Sequence, residues 1–134
     1  MSGVPAILVV AAALCDARGR ILIAQRPGAK HMAGRWEFPG GKVGVDENES
    51  DALIRELHEE LGVQVREPQF CLRLIHAYED RTVELSCWIV RQFAGEPRGL
   101  DGQRLKWVRA ADLTHEDILE ADRPFIEALQ RLVQ

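Results

Sequence analysis

The chain has 134 residues, enough for one domain with one sizeable core. Apolar residues make up 46% and charged residues 28%, with a net charge of −4. This mix excludes disordered, collagenous and disulfide-stapled classes and argues against tight, stable binding to a nucleic-acid backbone. A local site can still oppose the global charge, so a small phosphorylated ligand fits. Cys15, Cys71 and Cys87 are odd in number and form no C-x-x-C pair. They read as free thiols in apolar surroundings, in a reducing cytoplasm.

The elements follow in chain order. Ala6 to Leu14 is an apolar run too short to span a bilayer, without a basic segment before it. It reads as a strand, so no membrane association is expected. Residues 5–14 and 20–26 form a predicted hairpin around the Asp16–Gly19 turn. Residues 27–34 are a loop and 36–38 a short strand, ended by Pro39-Gly40-Gly41. Residues 42–48 read as a second loop. Residues 49–62 are rich in helix formers, and Gly62 supplies the stop. Two long β-rich runs follow, 67–78 and 82–93, joined by Glu79-Asp80-Arg81. Residues 95–99 are a loop and 105–108 a strand. A C-terminal helix carries Pro124 in its first turn. Trp36, Trp88 and Trp107 fall in strand-like segments and read as core. The whole is a single α+β domain over residues 1–134.

Gly40 to Val63 carries the chemistry. On a helical wheel with Glu56 at zero, Glu60 lies at roughly 40° and Glu59 at roughly −60°. The leucines and Ile54 share another face. Three carboxylates on one side destabilise an isolated helix, and a solvated acidic face would be their ordinary meaning. They also supply the oxygen ligands, from adjacent turns, that a divalent cation needs. The upstream Gly40-Gly41-Lys42 lets backbone approach a ligand and offers phosphate a positive charge. Together these point to metal-assisted phosphoryl chemistry.

These residues resemble a known family. Gly41, Glu47 and the run Arg55-Glu56-Leu57-His58-Glu59-Glu60-Leu61-Gly62-Val63 fit the Nudix box, G-x5-E-x7-R-E-U-x-E-E-x-G-U, at every fixed position. The flanks 24–27, 31–39, 93–97 and 101–103 resemble the MutT branch, so the likeness spans nearly the whole chain.

The resemblance implies an α/β/α sandwich with a mixed sheet between helices. It implies hydrolysis of a nucleoside triphosphate to the monophosphate and pyrophosphate, dependent on Mg²⁺ with Mn²⁺ as a substitute. Metal ligands would be Glu56, Glu59 and Glu60, with the Gly40 carbonyl and Asp101. Asp101 stands where these enzymes usually have glutamate, so its contact would run through a water. Arg55 and Glu47 would brace the loop against the helix. Either Glu56 or Glu60 would take the proton of the attacking water.

Substrate candidates are Arg26, His31, Phe38, Gly41, Lys42, Tyr78, Arg81 and Asp122. Asp122 stands where MutT enzymes selective for 8-oxoguanine often carry asparagine. A protonated Asp122 imitates that amide; an ionised one accepts from the cytosine N4 amino group. A third reading makes it the N-cap of the last helix. The leading expectation is clearance of 8-oxo-dGTP and 8-oxo-GTP from the nucleotide pool by a cytoplasmic monomer. The alternatives are a Nudix enzyme preferring CTP or modified pyrimidines and a catalytically silent base-recognition module of the same fold.

Overall fold

The computed structural model describes residues 6–28 and 32–132. Nine strands and two α-helices follow in the described residues: β1 (Ala6–Leu14), β2 (Arg20–Gln25), β3 (Trp36–Glu37), β4 (Gly40–Lys42), α1 (Glu49–Leu61), β5 (Gln64–Arg66), β6 (Gln69–Ala77), β7 (Thr82–Val90), β8 (Gln92–Ala94), β9 (Leu105–Arg109) and α2 (Arg123–Leu132). Two short 3₁₀ segments, Ala110–His115 and Glu120–Asp122, lead into α2.

A four-stranded mixed sheet runs β4-β1-β7-β6, with β1 and β7 parallel and the other pairs antiparallel. An antiparallel sheet β3-β2-β9 and a β5-β8 pair complete the fold. Strand alternation decides the layers. In β1, Ala11 and Ala13 share a core with Phe125, Ile126 and Leu129 of α2. Val10, Ala12 and Leu14 share the other core with Leu53, Leu57 and Leu61 of α1. The helices therefore cover opposite faces, which is the expected α/β/α sandwich. Trp36, Trp88 and Trp107 are partly buried against these cores.

Several boundaries differ from expectation. The β1–β2 hairpin is one bridge deep, Cys15 opposite Ile21, after which the strands enter different sheets. Gly40-Gly41-Lys42 is a strand rather than a turn, because it pairs with Val9–Ala11 of β1. The predicted run 67–78 begins only at Gln69. The preceding Glu67 has φ 48°, a left-handed conformation that separates β5 from β6. The run 82–93 likewise divides at Arg91, and β8 turns away to pair with β5.

The box helix is secured at both ends. Asn48 caps it by accepting the Asp51 amide at 2.8 Å. Gly62 ends it at φ 73°, its N–H donating to the His58 carbonyl. Glu49 ties the first turn to the sheet through Ser86 (2.5 Å) and Arg73 (3.0 Å). Among the described residues no helix is long and apolar enough to cross a membrane.

Candidate active site

Glycine brings β4 and α1 into contact. A Cβ on Gly40 would overlap the Val10 carbonyl of β1; one on Gly41 would fall inside the Glu56 carboxylate. Only glycines let the strand lie close enough to α1 to hold that carboxylate against its backbone.

Arg55 organises the loop beside it. Its Nε and Nη2 donate to the two Glu47 oxygens at 2.8 and 2.9 Å. Nη1 reaches Glu56 and Glu59, both at 3.1 Å, and Nη2 also donates to the Lys42 carbonyl. Glu47 accepts the Gly44 amide as well, at 2.8 Å. The Arg55 hydrogen bonds, followed by that amide, hold Glu47 down at about 2.

Glu60 has the opposite environment. Burial first, then repulsion from Glu56 and Glu37, pushes its carboxyl up to about 8, against a Gly40 backbone hydrogen bond that lowers it. Asp101 adds further repulsion. Glu56 is raised by burial, with Arg55 opposing the shift. As they stand, no three of these side chains converge on one point among the described residues. Their donor chemistry nonetheless fits a divalent cation: crowded, desolvated carboxylate oxygens whose repulsion a cation would relieve.

Loop 98–104 closes the C-terminal end of α1. The Arg98 amide donates to the Leu61 carbonyl at 3.0 Å and the Leu100 amide to Glu60 at 3.1 Å. The Gln103 side chain does two things. Its Nε2 donates to the Glu60 carbonyl at 3.3 Å, and its Oε1 accepts the Asp101 amide at 2.9 Å. Exposed Asp101 is thereby held over the carboxylate helix.

On the α2 side of the mixed sheet opens a cleft lined by Arg26, Glu37, Lys42, Tyr78, Arg81 and Asp122, among others. Five of these were expected from sequence. Arg81 lies over the Tyr78 ring, 5.8 Å from its centroid, and its buried Nε has no hydrogen-bond partner among the described residues. Asp122 is 5% exposed, and its Oδ2 accepts the Phe38 amide at 3.3 Å. That bond turns the carboxyl toward β3–β4 rather than toward the first turn of α2, against the capping reading. The Phe38 ring is also not a base platform: it is buried and packs on Phe125 at 4.8 Å between centroids. Its contribution to this region is the backbone N–H. His31 lies outside the described residues.

Glu37 was missed in the sequence reading. On β3, it meets Arg26 at 2.6 Å and stands electrostatically between Glu60 and Asp122. Only strand pairing brings it there, since Arg26 lies 11 positions earlier.

A NUDIX domain model matches residues 10–128. The chain belongs to the Nudix family. A CTP pyrophosphohydrolase of Escherichia coli is 36% identical over 126 residues, covering 94% of this chain and 93% of that protein. A putative 8-oxo-dGTP diphosphatase 2 of Mycobacterium tuberculosis is 43% identical over 126 residues, covering 92% and 88%. A MutT structure from work on Aliivibrio salmonicida and Vibrio cholerae superposes with a TM-score of 0.84 at 33% identity, covering 96% of this chain and 99% of that one. This Nudix chain is a pyrophosphohydrolase of the MutT type. Its complete box belongs to a hydrolase and not to a silent recognition module.

Proposed function

We propose that this Nudix hydrolase clears oxidised guanine nucleotides, converting 8-oxo-dGTP and 8-oxo-GTP to the monophosphate and pyrophosphate. The observation that carries this reading is Asp122, buried in the cleft with one oxygen held by the Phe38 amide. Burial, then repulsion from Glu37, raises its carboxyl to about 7, within reach of the neutral form that donates like an amide. Relatives named 8-oxo-dGTP diphosphatase support it.

In this reading Glu56, Glu59, Glu60, Asp101 and the Gly40 carbonyl hold the metal. When bound by these residues, Mg²⁺, or Mn²⁺ in its place, would supply positive charge to offset that of the triphosphate and would activate water. Glu56 or Glu60 takes the water's proton as oxygen attacks the β-phosphorus, and the monophosphate leaves. Arg55 and Glu47 hold the loop that carries Gly41 and Lys42. Lys42 and Arg81 supply positive charge to the phosphates, and Tyr78 flanks the base. Arg26 acts from within its pair with Glu37. The enzyme works as a monomer on free nucleotide in the cytoplasm.

A second reading, preference for CTP or modified pyrimidines, is favoured by two carboxylates in one cleft, which suit an amino group. The relative named CTP pyrophosphohydrolase supports it. A panel of 8-oxo-dGTP, dGTP, CTP and 5-methyl-dCTP with Mg²⁺ tests the choice. A large kcat/KM advantage for 8-oxo-dGTP is expected, and a cytosine preference would replace the first reading with the second.

A further inference from the structure

Ser86 is fully buried in the middle of β7, on the face of the sheet that α1 covers. Helix adhesion alone calls for an apolar side chain there, as at Val10, Ala12 and Val90 of the same layer. A buried hydroxyl costs stability unless its hydrogen bonds are met. Those of Ser86 are met in one sense only. The Trp88 Nε1 donates to it at 2.8 Å, and it donates to the Glu49 carboxylate at 2.5 Å. Arg73 stands opposite Ser86 in the β6–β7 register. Its Nη2 donates to both Glu49 oxygens at 3.0 Å and its Nη1 to Glu84 at 2.9 Å. The Phe70 ring lies under the guanidinium, 5.6 Å away. Glu49 is the first residue of α1, so two strands grip the point where the chain enters the helix.

That entry point carries Glu47, two residues earlier, which Arg55 grips while also touching Glu56 and Glu59. Glu47, Glu49, Phe70, Arg73 and Trp88 line one groove of about 510 Å³, so the two sets of contacts are contiguous. We propose that Glu49, held by Ser86 and Arg73, is a positioning residue for catalysis. It sets where Glu47 meets Arg55 and, through Arg55, where Glu56 and Glu59 stand. Helix ends fray, and the Asn48 cap secures only the Asp51 amide. Without the Glu49 anchor the first turn and Glu47 shift together. Directional hydrogen bonds fix the seat of α1 on the sheet, whereas apolar packing alone tolerates sliding. The inference rests on the reading of the α1 carboxylates as the metal site.

The test is Glu49→Ala, which removes all three bonds to Glu49 without lowering helix propensity. The first readout needs no metal. Hydrogen exchange at the Arg55 Nε–H, followed by ¹⁵N NMR, should be faster than in the wild type as the grip on Glu47 loosens. The second is steady-state hydrolysis of 8-oxo-dGTP at saturating Mg²⁺. There kcat should fall roughly tenfold, the lower end of what outer-shell support contributes, with KM near the wild-type value. Arg73→Ala attacks the same contact from the sheet and should reproduce both effects. Glu49→Gln keeps a Ser86 partner without the charge and should restore part of each. Adding Glu49→Ala to Arg55→Ala should cost no more kcat than Arg55→Ala alone, because both act through one group. A fully additive loss, or a lower Tm with Arg55 exchange and kcat unchanged, would overturn the positioning role and reduce Glu49 to a stabilising contact. Wild-type turnover without Mg²⁺ would overturn the metal-site reading instead, whatever the Arg55 exchange shows. If Glu49→Ala fails to fold, Glu49→Gln and Arg73→Ala decide.

Discussion

Arg55 grips Glu47 with two hydrogen bonds, at 2.8 and 2.9 Å, while the same guanidinium touches Glu56 and Glu59 at 3.1 Å. One cation thus fixes the loop and restrains two carboxylates of the helix. The brace is a charge-assisted, bidentate pair that depends on Glu47 remaining ionised.

The Glu47 carboxyl should therefore titrate near 2 in the folded protein, against an ordinary value of 4.5. Its folded value is depressed, so the stability it contributes is present above its unfolded value and is lost as pH falls through about 2. Carbon-detected NMR titration of the side chain checks this. A midpoint near 4.5 would mean that the brace does not hold in solution. Arg55→Ala should release both Glu47 and the loop and lower kcat by roughly 10- to 100-fold, as lost outer-shell support does.

Glu60 carries the opposite sign. Its folded value is raised to about 8, so its stabilising contribution is full below the unfolded carboxylate range and is lost as pH rises through about 8. In Mg²⁺-free buffer, Glu60→Gln should therefore have a Tm above the wild type at pH 8, with the gap closing toward pH 4. The same variant should lose roughly 10²- to 10⁴-fold in kcat, as should Glu56→Gln, with circular dichroism unchanged. Near-normal turnover in either folded variant would remove that carboxylate from the reaction.

The adjacent glycines should fail differently. Gly40→Ala drives a methyl into the backbone of β1, where nothing can yield. It should destabilise the fold by roughly 3–5 kcal/mol, read by urea denaturation. Gly41→Ala meets only the end of a flexible side chain. It should leave Tm near wild type and lower kcat by displacing Glu56.

That contrast also marks what the sequence could and could not tell. The helix 49–61, its Gly62 stop and the three carboxylates on one face are local and periodic, so they are legible in the residues themselves. Gly40-Gly41 reads as a turn in isolation; it is a strand because Val10 and Glu56 lie against it. The Phe38 ring looks available for stacking until Phe125, distant in sequence, covers it. Glu37 gains its meaning only from Arg26 and Asp122, brought to it by strand pairing and by the approach to α2. Gln103, which holds the Asp101 loop to Glu60, is likewise defined by tertiary hydrogen bonds that leave no local pattern.

Asp101 sits in that exposed loop, and Asp101→Asn should reduce kcat by roughly 10- to 100-fold, less than the losses expected for the helix glutamates. Gln103→Ala should give a similar but smaller effect, because it loosens the loop without removing the carboxylate. Steady-state kinetics at saturating Mg²⁺ orders the two. A larger loss for Gln103→Ala than for Asp101→Asn would show that the loop serves α1 rather than the reaction.

The most direct test of the catalytic account is hydrolysis of 8-oxo-dGTP in ¹⁸O-labelled water with Mg²⁺, with both products resolved by mass spectrometry. Attack at the β-phosphorus predicts unlabelled 8-oxo-dGMP and pyrophosphate carrying one ¹⁸O, with turnover abolished by EDTA. Release of orthophosphate and a nucleoside diphosphate, label in the monophosphate, or turnover that survives EDTA would contradict it.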